Sequence, residues 1–220
     1  MHRRRRTALF LSAAIVAAAP LLTACGNEAH PGAAAVVGGN RITVSQLESR
    51  VNEVRAAQRA ATSDQAQYAQ TVARTGSLTR DTLHTMVLDR VLNQAAKDAG
   101  VTVTRKDVQD LRTALEQQAG SAKALEDAWL QQYGVAPSRL EDNLHTEIVA
   151  QKLAAALGAD MNSEEGKATF WKAMSEASKT LDVDLNPRYG TWDVQKSSRV
   201  DAQTPWVREI TAAEAAPATT

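Results

Sequence analysis

The sequence is poor in the residues that crosslink folds or carry covalent chemistry. It has a single cysteine, Cys25, so no disulfide can form within the chain. Aromatic residues make up 4% of its 220 residues, and it contains neither a glycine-rich phosphate loop nor a serine-centred nucleophile elbow. Stability must therefore come from packing. Covalent catalysis has no evident nucleophile, and no cofactor is indicated.

A hydrophobic run long enough to cross a bilayer is also missing. The longest apolar run, from Ala8 to about Leu22, has roughly 15 residues, whereas a spanning helix needs roughly 20. It follows the basic cluster Arg3 to Arg6 and precedes small residues and Cys25. This is the three-part order of a removable export signal, and we predict that residues 1–24 are a signal peptide.

The end of this segment, Leu22-Thr23-Ala24-Cys25, resembles the lipobox of bacterial lipoproteins. In those proteins the cysteine thiol receives a diacylglycerol and becomes the mature N-terminus. The resemblance implies lipidation of Cys25, palmitate among the acyl chains, a lipidated linker over residues 25–33, and an extracytoplasmic location anchored in the cell membrane. An ordinary secretory signal with an incidental cysteine is the alternative, and the export route, Sec or Tat, stays open.

The mature chain has no excess of positive charge. Once the four arginines before Cys25 are removed, 21 Lys and Arg face 25 Asp and Glu, which gives a formal charge of −4. Binding to nucleic acid, or to a membrane through a polybasic patch, requires clustered positive charge. We therefore predict no nucleic-acid partner.

The body of the chain carries the pattern of a mainly α protein. Alanine and leucine recur at helical spacing, and caps and breaks divide the chain into segments. Helices are predicted from Thr43, from Thr79 or Asp81 to about Ala99, from Thr104 to about Ala119, from Ser121 to Tyr133, from Pro137 to about Gly158, and from Asn162 or Ser163 to about Leu181. The helix ending near Ala99 is apolar over more than one stripe, so it should be the buried centre. Residues 61–79 form a polar stretch.

Two short segments favour strands. Ala33 to Val37 is apolar, Gly38-Gly39-Asn40 can form a tight turn, and Arg41-Ile42 continues as extended chain, which predicts a hairpin. Asp182 to Asp193 is predicted to be extended with a turn at Asn186-Pro187. Residues 195–220 are polar and are predicted to be a disordered tail.

The run Ala35 to Leu47, AVVGGNRITVSQL, resembles the opening of the SurA-type periplasmic chaperones and the related PrsA foldases. The link Ala99 to Thr104, leading into Asp107-Val108, is similar to a helix-break-helix junction of the same domain. The resemblance implies a SurA N-terminal-like helical domain over residues 34–158, with a small hairpin or short sheet. It also implies that residues 159–194 return to close the domain, with a strand near Val183 that pairs with Ala34 to Val37.

The same resemblance implies a chaperone, a holdase that binds unfolded or nascent exported proteins. SurA and PrsA place a parvulin isomerase domain with a histidine pair after the helices, whereas the 62 residues after Gly158 contain no histidine. We therefore expect no enzyme activity. Two alternatives stay open: a non-catalytic lipoprotein scaffold for one envelope partner, and a prolyl isomerase with an unrecognised site.

Few individual side chains stand out as binding residues. Trp129 and Tyr133 lie at i and i+4 on one helix and could offer flat apolar area to a client, although core packing is the preferred interpretation. Glu141 and His145 could supply two metal ligands, but no spacing identifies a third, so an exposed ion pair is the preferred interpretation. Asp81 and His84 are interpreted in the same way, and no metal is predicted.

The lipid anchor can be tested directly in cells. Wild-type protein should incorporate radiolabelled palmitate, and Cys25→Ser should abolish the label because no other thiol is present. The measurement is immunoprecipitation followed by fluorography. A wild-type protein that is shortened but unlabelled would favour the ordinary secretory signal instead.

Overall fold

The computed structural model describes residues 32–201, which form a mainly α fold with small antiparallel sheets, as predicted. Cys25, the predicted signal peptide and residues 202–220 lie outside the described residues. The α-helices are α1 Val44–Ala60, α2 Gln65–Arg74, α3 Leu78–Asp98, α4 Arg105–Ala119, α5 Ala122–Tyr133, α6 Leu140–Ala156 and α7 Glu164–Leu181. The strands are β1 Ala33–Val37, β2 Asn40–Thr43, β3 Asp184–Leu185, β4 Thr191–Asp193 and β5 Ser198–Val200.

Helix α3 forms the centre of the core. Its side chains Leu83, Val87 and Val91 are fully buried, and it packs against α1, α6, α7 and β1. A helix with neighbours on several sides needs apolar residues over more than one stripe. The prediction that this helix is the buried centre is therefore confirmed.

The main sheet joins the two ends of the described chain in the order β2-β1-β3. Strands β1 and β2 form the predicted hairpin, with Gly38 and Gly39 at positive φ in its turn. On the other side of β1, β3 pairs antiparallel with Ala35 opposite Leu185. The predicted pairing of the C-terminal segment with Ala34 to Val37 is thus confirmed.

Helix α7 brings the chain back to this sheet. Ser163 caps its N-terminus by accepting from the Gly166 N–H, and Phe170, Met174 and Ala177 are buried in the same core as α3. Past the helix end, Trp192 Nε1 donates to Ser178 Oγ at 2.6 Å. Helix α7 therefore packs against α3, and β3 pairs with β1.

Local capping signals place several helix ends correctly. Thr43 and Gln46 form a reciprocal capping box at the start of α1, and Thr104 forms one with Asp107 at the start of α4. Lys152 of α6 also donates to the Asp107 carboxylate at 2.7 Å. The hydrogen bonds from Lys152 and Thr104 hold the pKa of Asp107 well below its usual range.

Helix α2 was not predicted. It lies inside the stretch that was interpreted as polar, and none of its side chains is buried. Its larger apolar residues, Tyr68 and Val72, stand one helical turn apart, a spacing that the prediction overlooked. Its start is visible in retrospect, because Asp64 accepts from the backbone N–H groups of Ala66 and Gln67. The start of α3 also differs from the prediction: its N-cap is Ser77, not Thr79 or Asp81.

The predicted tail is wrong over its first residues. Ser198–Val200 forms β5, which pairs antiparallel with β4. The Arg199 N–H donates to His84 Nδ1 at 3.3 Å, and the Arg199 guanidinium donates to the Tyr189 carbonyl. The strand partner is close in sequence, since β4 and β5 form a hairpin around residues 194–197, whereas His84 is distant. The polar composition gave no sign of either contact.

The approach of α7 to the preceding loop depends on a glycine. A Cβ at Gly166 would lie 2.0 Å from the Asp160 carbonyl oxygen, so Gly166→Ala must displace backbone. We expect it to lower the free energy of unfolding by about 1–3 kcal/mol, measured by chemical denaturation. Gly76→Ala is the matched control, because its Cβ would meet only the Ala73 oxygen at 3.7 Å. Equal stabilities for the two variants would contradict the close approach.

Candidate functional site

An open groove runs along one side of α3, between that helix, α1 and the end of α5. It consists of three adjoining depressions of about 420, 170 and 630 Å³. The first and the middle depression share Arg50, Met86, Asp89 and Arg139. The middle and the last share Leu78, Asp81, Tyr133 and Gly134. We call this continuous surface the groove.

The middle depression has an apolar floor. Val54 and Ala136 are buried beneath it in a small cluster against which Leu78 packs, and Met86 adds a flexible apolar side chain from α3. Tyr133 stands at its edge and is 57% exposed. An accessible apolar floor with an aromatic side chain beside it can take up apolar side chains from another polypeptide.

The two predicted binding residues, Trp129 and Tyr133, have different environments in the structure. The two rings are 5.3 Å apart between centroids, but Trp129 packs against the cluster of Leu125, Leu140 and Leu144. Its Nε1 donates to Asn143 Oδ1 at 2.9 Å. Trp129 thus has the core role that was the preferred interpretation for the pair, whereas Tyr133 presents most of its surface to solvent.

Two arginines on the groove wall are matched by two carboxylates. Arg139 binds Glu53 through two parallel hydrogen bonds of 2.6 and 2.8 Å and donates to Asp142 at 3.2 Å. Arg50 lies 3.8 Å from Asp142. The hydrogen bond from Arg139 lowers the pKa of Glu53. This network joins α1 to the turn before α6 and fixes the distance between two walls of the groove.

The α3 wall carries two further carboxylates. Asp81 and Asp89 line the middle depression, with Thr85 between them at i+4, so all three lie on one helix face. Asp81 accepts from Ser77 Oγ at 2.6 Å. Among residues 32–201, neither carboxylate takes part in an ion pair. The groove therefore has an acidic stripe that no cation of the described chain neutralises by direct contact.

The environment of Asp89 changes its acidity. Burial raises its pKa to about 6, and the Asp142 carboxylate acts in the same direction. The Thr146 hydroxyl, Arg50 and His145 oppose this rise without cancelling it. Above pH 6 the side chain is thus an ionised, partly buried group that the fold solvates poorly.

The other sequence candidates have structural partners of their own. Glu141 pairs with Arg112 of α4 at 3.0 Å, which corrects the predicted ion pair with His145. The His84 ring accepts the Arg199 N–H and lies against Trp192 at 5.7 Å, and burial lowers its pKa. Over residues 32–201, no three His, Cys, Asp or Glu side chains cluster as metal ligands.

Sequence reasoning did not single out Asp89, Arg50 or Arg139. The one available signal was the i, i+4, i+8 spacing of Asp81, Thr85 and Asp89 on a helix that is otherwise apolar.

As to membrane spans, none of the helices between residues 32 and 201 combines the length and the apolar character that crossing a bilayer requires. Cys25, the predicted lipidation site, lies outside that range.

Comparison with known proteins gives one family match. The model of the SurA-like N-terminal domain matches residues 1–154, which is more than half of the chain. The match ends within α6, so it includes all the residues that line the groove. Neither the curated proteins nor the solved structures give a match to the chain.

The cost of the Asp89 charge can be measured. Its pKa of about 6 exceeds the ordinary 3.8. The folded state therefore binds the proton more tightly, and stability falls as the pH rises from about 4 to 6. We expect Asp89→Asn to raise the free energy of unfolding at pH 7.5 by about 1–2 kcal/mol, with a smaller gain at pH 4.

Urea denaturation at the two pH values provides the measurement. Asp98→Asn is the matched control, because Asp98 is an exposed carboxylate on the same helix and does not line the groove. It should change the free energy of unfolding by less than about 0.5 kcal/mol at either pH. A less stable Asp89→Asn at pH 7.5 would show that the carboxylate has a partner that stabilises it.

Proposed function

Because the chain belongs to the SurA-like N-terminal domain family, we propose that it is a holdase-type chaperone. It binds unfolded segments of exported proteins outside the cytoplasm, and a lipid on Cys25 tethers it to the membrane. The lipobox-like sequence supports the tether, and the short linker over residues 25–33 would keep the domain close to the membrane surface.

The observation that carries this proposal is the open groove. Residues 159–201 supply none of its lining, because α7 and β3 dock on α3 and β1 instead. The C-terminal segment completes the core and leaves the surface between α1, α3 and α5 uncovered within the described chain. A domain whose last elements plugged this hollow could not hold a client there.

The composition of the groove suits weak binding without strict sequence preference. An apolar floor at Val54, Leu78 and Met86 can accept different apolar side chains, and polar groups on the rim remain in contact with water. The groove lining contains neither histidine nor cysteine. We therefore propose that the groove holds polypeptide without bond chemistry, and we keep prolyl isomerisation as an outcome to be tested.

The aromatic side chain at the groove edge gives the sharpest test. We expect Tyr133→Ala to weaken client binding about fivefold, since truncating an aromatic contact costs on the order of 1 kcal/mol. Light scattering of a denatured client at increasing concentrations of the full chain should show a matching loss of aggregation suppression. Trp171→Ala is the control, because Trp171 is 42% exposed on α7 and outside the groove.

Three results would count against the proposal. The first is no suppression by the wild type at equimolar protein. The second is an equal loss in both variants, which would place binding elsewhere. The third is turnover of a proline-containing chromogenic peptide, which would favour the isomerase alternative. Selective crosslinking to one envelope protein in cells would favour the scaffold.

A further inference from the structure

The charges of the middle depression do not cancel locally. Both of its cations are already in contact with acidic groups, Arg139 with Glu53 and Asp142, and Arg50 with Asp142. Asp81 and Asp89 remain on the α3 wall without a cationic partner among the described residues. The part of the groove with the apolar floor thus has a negative wall.

The remaining cations of the groove lie in its outer depressions. Arg90 lines the first depression, where its guanidinium donates to the carbonyl oxygens of Asn40 and Arg41 at 2.8 and 3.2 Å. Arg74 lines the last depression from α2. Neither lines the middle depression, so the negative wall is bounded by positive groups at both ends.

The spacing of the two carboxylates matches an extended chain. Asp89 lies eight positions after Asp81 on the helix, which is a rise of about 12 Å. In an extended polypeptide, residues i and i+4 lie on the same face about 13 Å apart, with residue i+2 between them on that face. Two cationic side chains four positions apart would therefore reach both carboxylates, and the side chain at i+2 would face the floor at Met86 and Val54.

The state of Asp89 supports a cationic occupant. Its pKa of about 6 means that the carboxylate is ionised at neutral pH, where Arg50 of α1 and His145 and Asp142 of α6 are the charged or titratable groups that act on it. Burial makes this charge unfavourable in the empty groove. An ammonium or guanidinium group from a client would compensate it.

On the proposed function, we infer that the groove selects extended client segments with the pattern basic–x–apolar–x–basic. The two basic side chains contact Asp89 and Asp81, and the apolar side chain between them enters the middle depression. The partner is an unfolded polypeptide of this chemistry, and it is the charge of the groove that distinguishes it from other apolar segments.

The test uses fluorescently labelled peptides and anisotropy with the full chain at 0.05 M and 0.15 M salt. One peptide has lysines at i and i+4 around an apolar i+2 residue. A second has glutamates at the same positions, and a third has the lysines at i and i+3. We expect the first to bind about three- to tenfold more tightly than the second, with the difference reduced at the higher salt. The third should bind between them, because one lysine faces away.

The protein variants separate the charge preference from peptide binding itself. The double variant Asp81→Asn and Asp89→Asn should bind the lysine and glutamate peptides with equal affinity. The control, Glu48→Gln and Asp98→Asn, removes the same charge from exposed positions outside the groove and should keep the wild-type preference. An equal loss of preference in both double variants would assign it to net charge and overturn the inference.

Failure of this inference differs from failure of the proposed function. If both peptides bind the wild type equally and Tyr133→Ala weakens both, the groove holds clients without a charge preference and only the inference is overturned. If no peptide binds and aggregation is not suppressed, the proposed function fails and the inference fails with it. A preference that survives in the Asp81 and Asp89 variant would place the cation contact elsewhere and overturn the inference alone.

Discussion

The burial of α3 on several sides is the constraint on which the rest of the structure depends. Leu83, Val87 and Val91 have no exposed surface, and burying each contributes roughly 1.5–3 kcal/mol relative to leaving it in water. Segments from both ends of the domain cover α3. Strand β1 and helix α1 come from the N-terminal side, and α7 comes from the C-terminal side. The pairing of β1 with β3 joins these two contributions. The helices before α7 are therefore insufficient to cover α3.

The groove follows from how this cover is distributed. Because α7 and β5 contact another part of α3, the groove side of α3 faces α1, the end of α5 and the start of α6 instead. The Arg139–Glu53 pair links α1 to the turn before α6, so those walls keep a defined separation. Both side chains are partly exposed, so the pair contributes little net stability. Its fork geometry matters more for position than for energy.

Sequence patterns predicted the features that depend on local chemistry or on a buried face. The Thr43 capping box, the glycine turn of the first hairpin and the apolar circumference of α3 are each determined by residues close in sequence. Helix α2 escaped prediction because it lies in a mostly polar stretch and has no buried side chain, and β5 because its polar sequence gave no sign of the hairpin with β4.

The candidate site was only partly predictable for the same reason. Trp129 and Tyr133 share a helix face and look equivalent in the sequence, yet Asn143 and the cluster beneath it engage one of them and leave the other exposed. Asp89 could not be recognised at all, because its environment is set by Arg50 of α1 and by Asp142, His145 and Thr146 of α6. Burial raises the pKa of Asp89 most, and these four side chains from two other helices adjust it.

The buried residues of the core are almost all apolar, whereas the groove holds a partly buried charge. An ionised carboxylate above an apolar floor, with no cationic partner among residues 32–201, lowers the stability of the domain, and a neutral residue at the same place would not. Proteins retain such conflicts chiefly where function requires them. The family match defines the domain but says nothing about what the groove recognises, because recognition depends on individual side chains and not on the fold. On the proposed function, the selectivity of this chain would come from the acidic stripe of α3, which places two carboxylates beside the apolar floor of the groove.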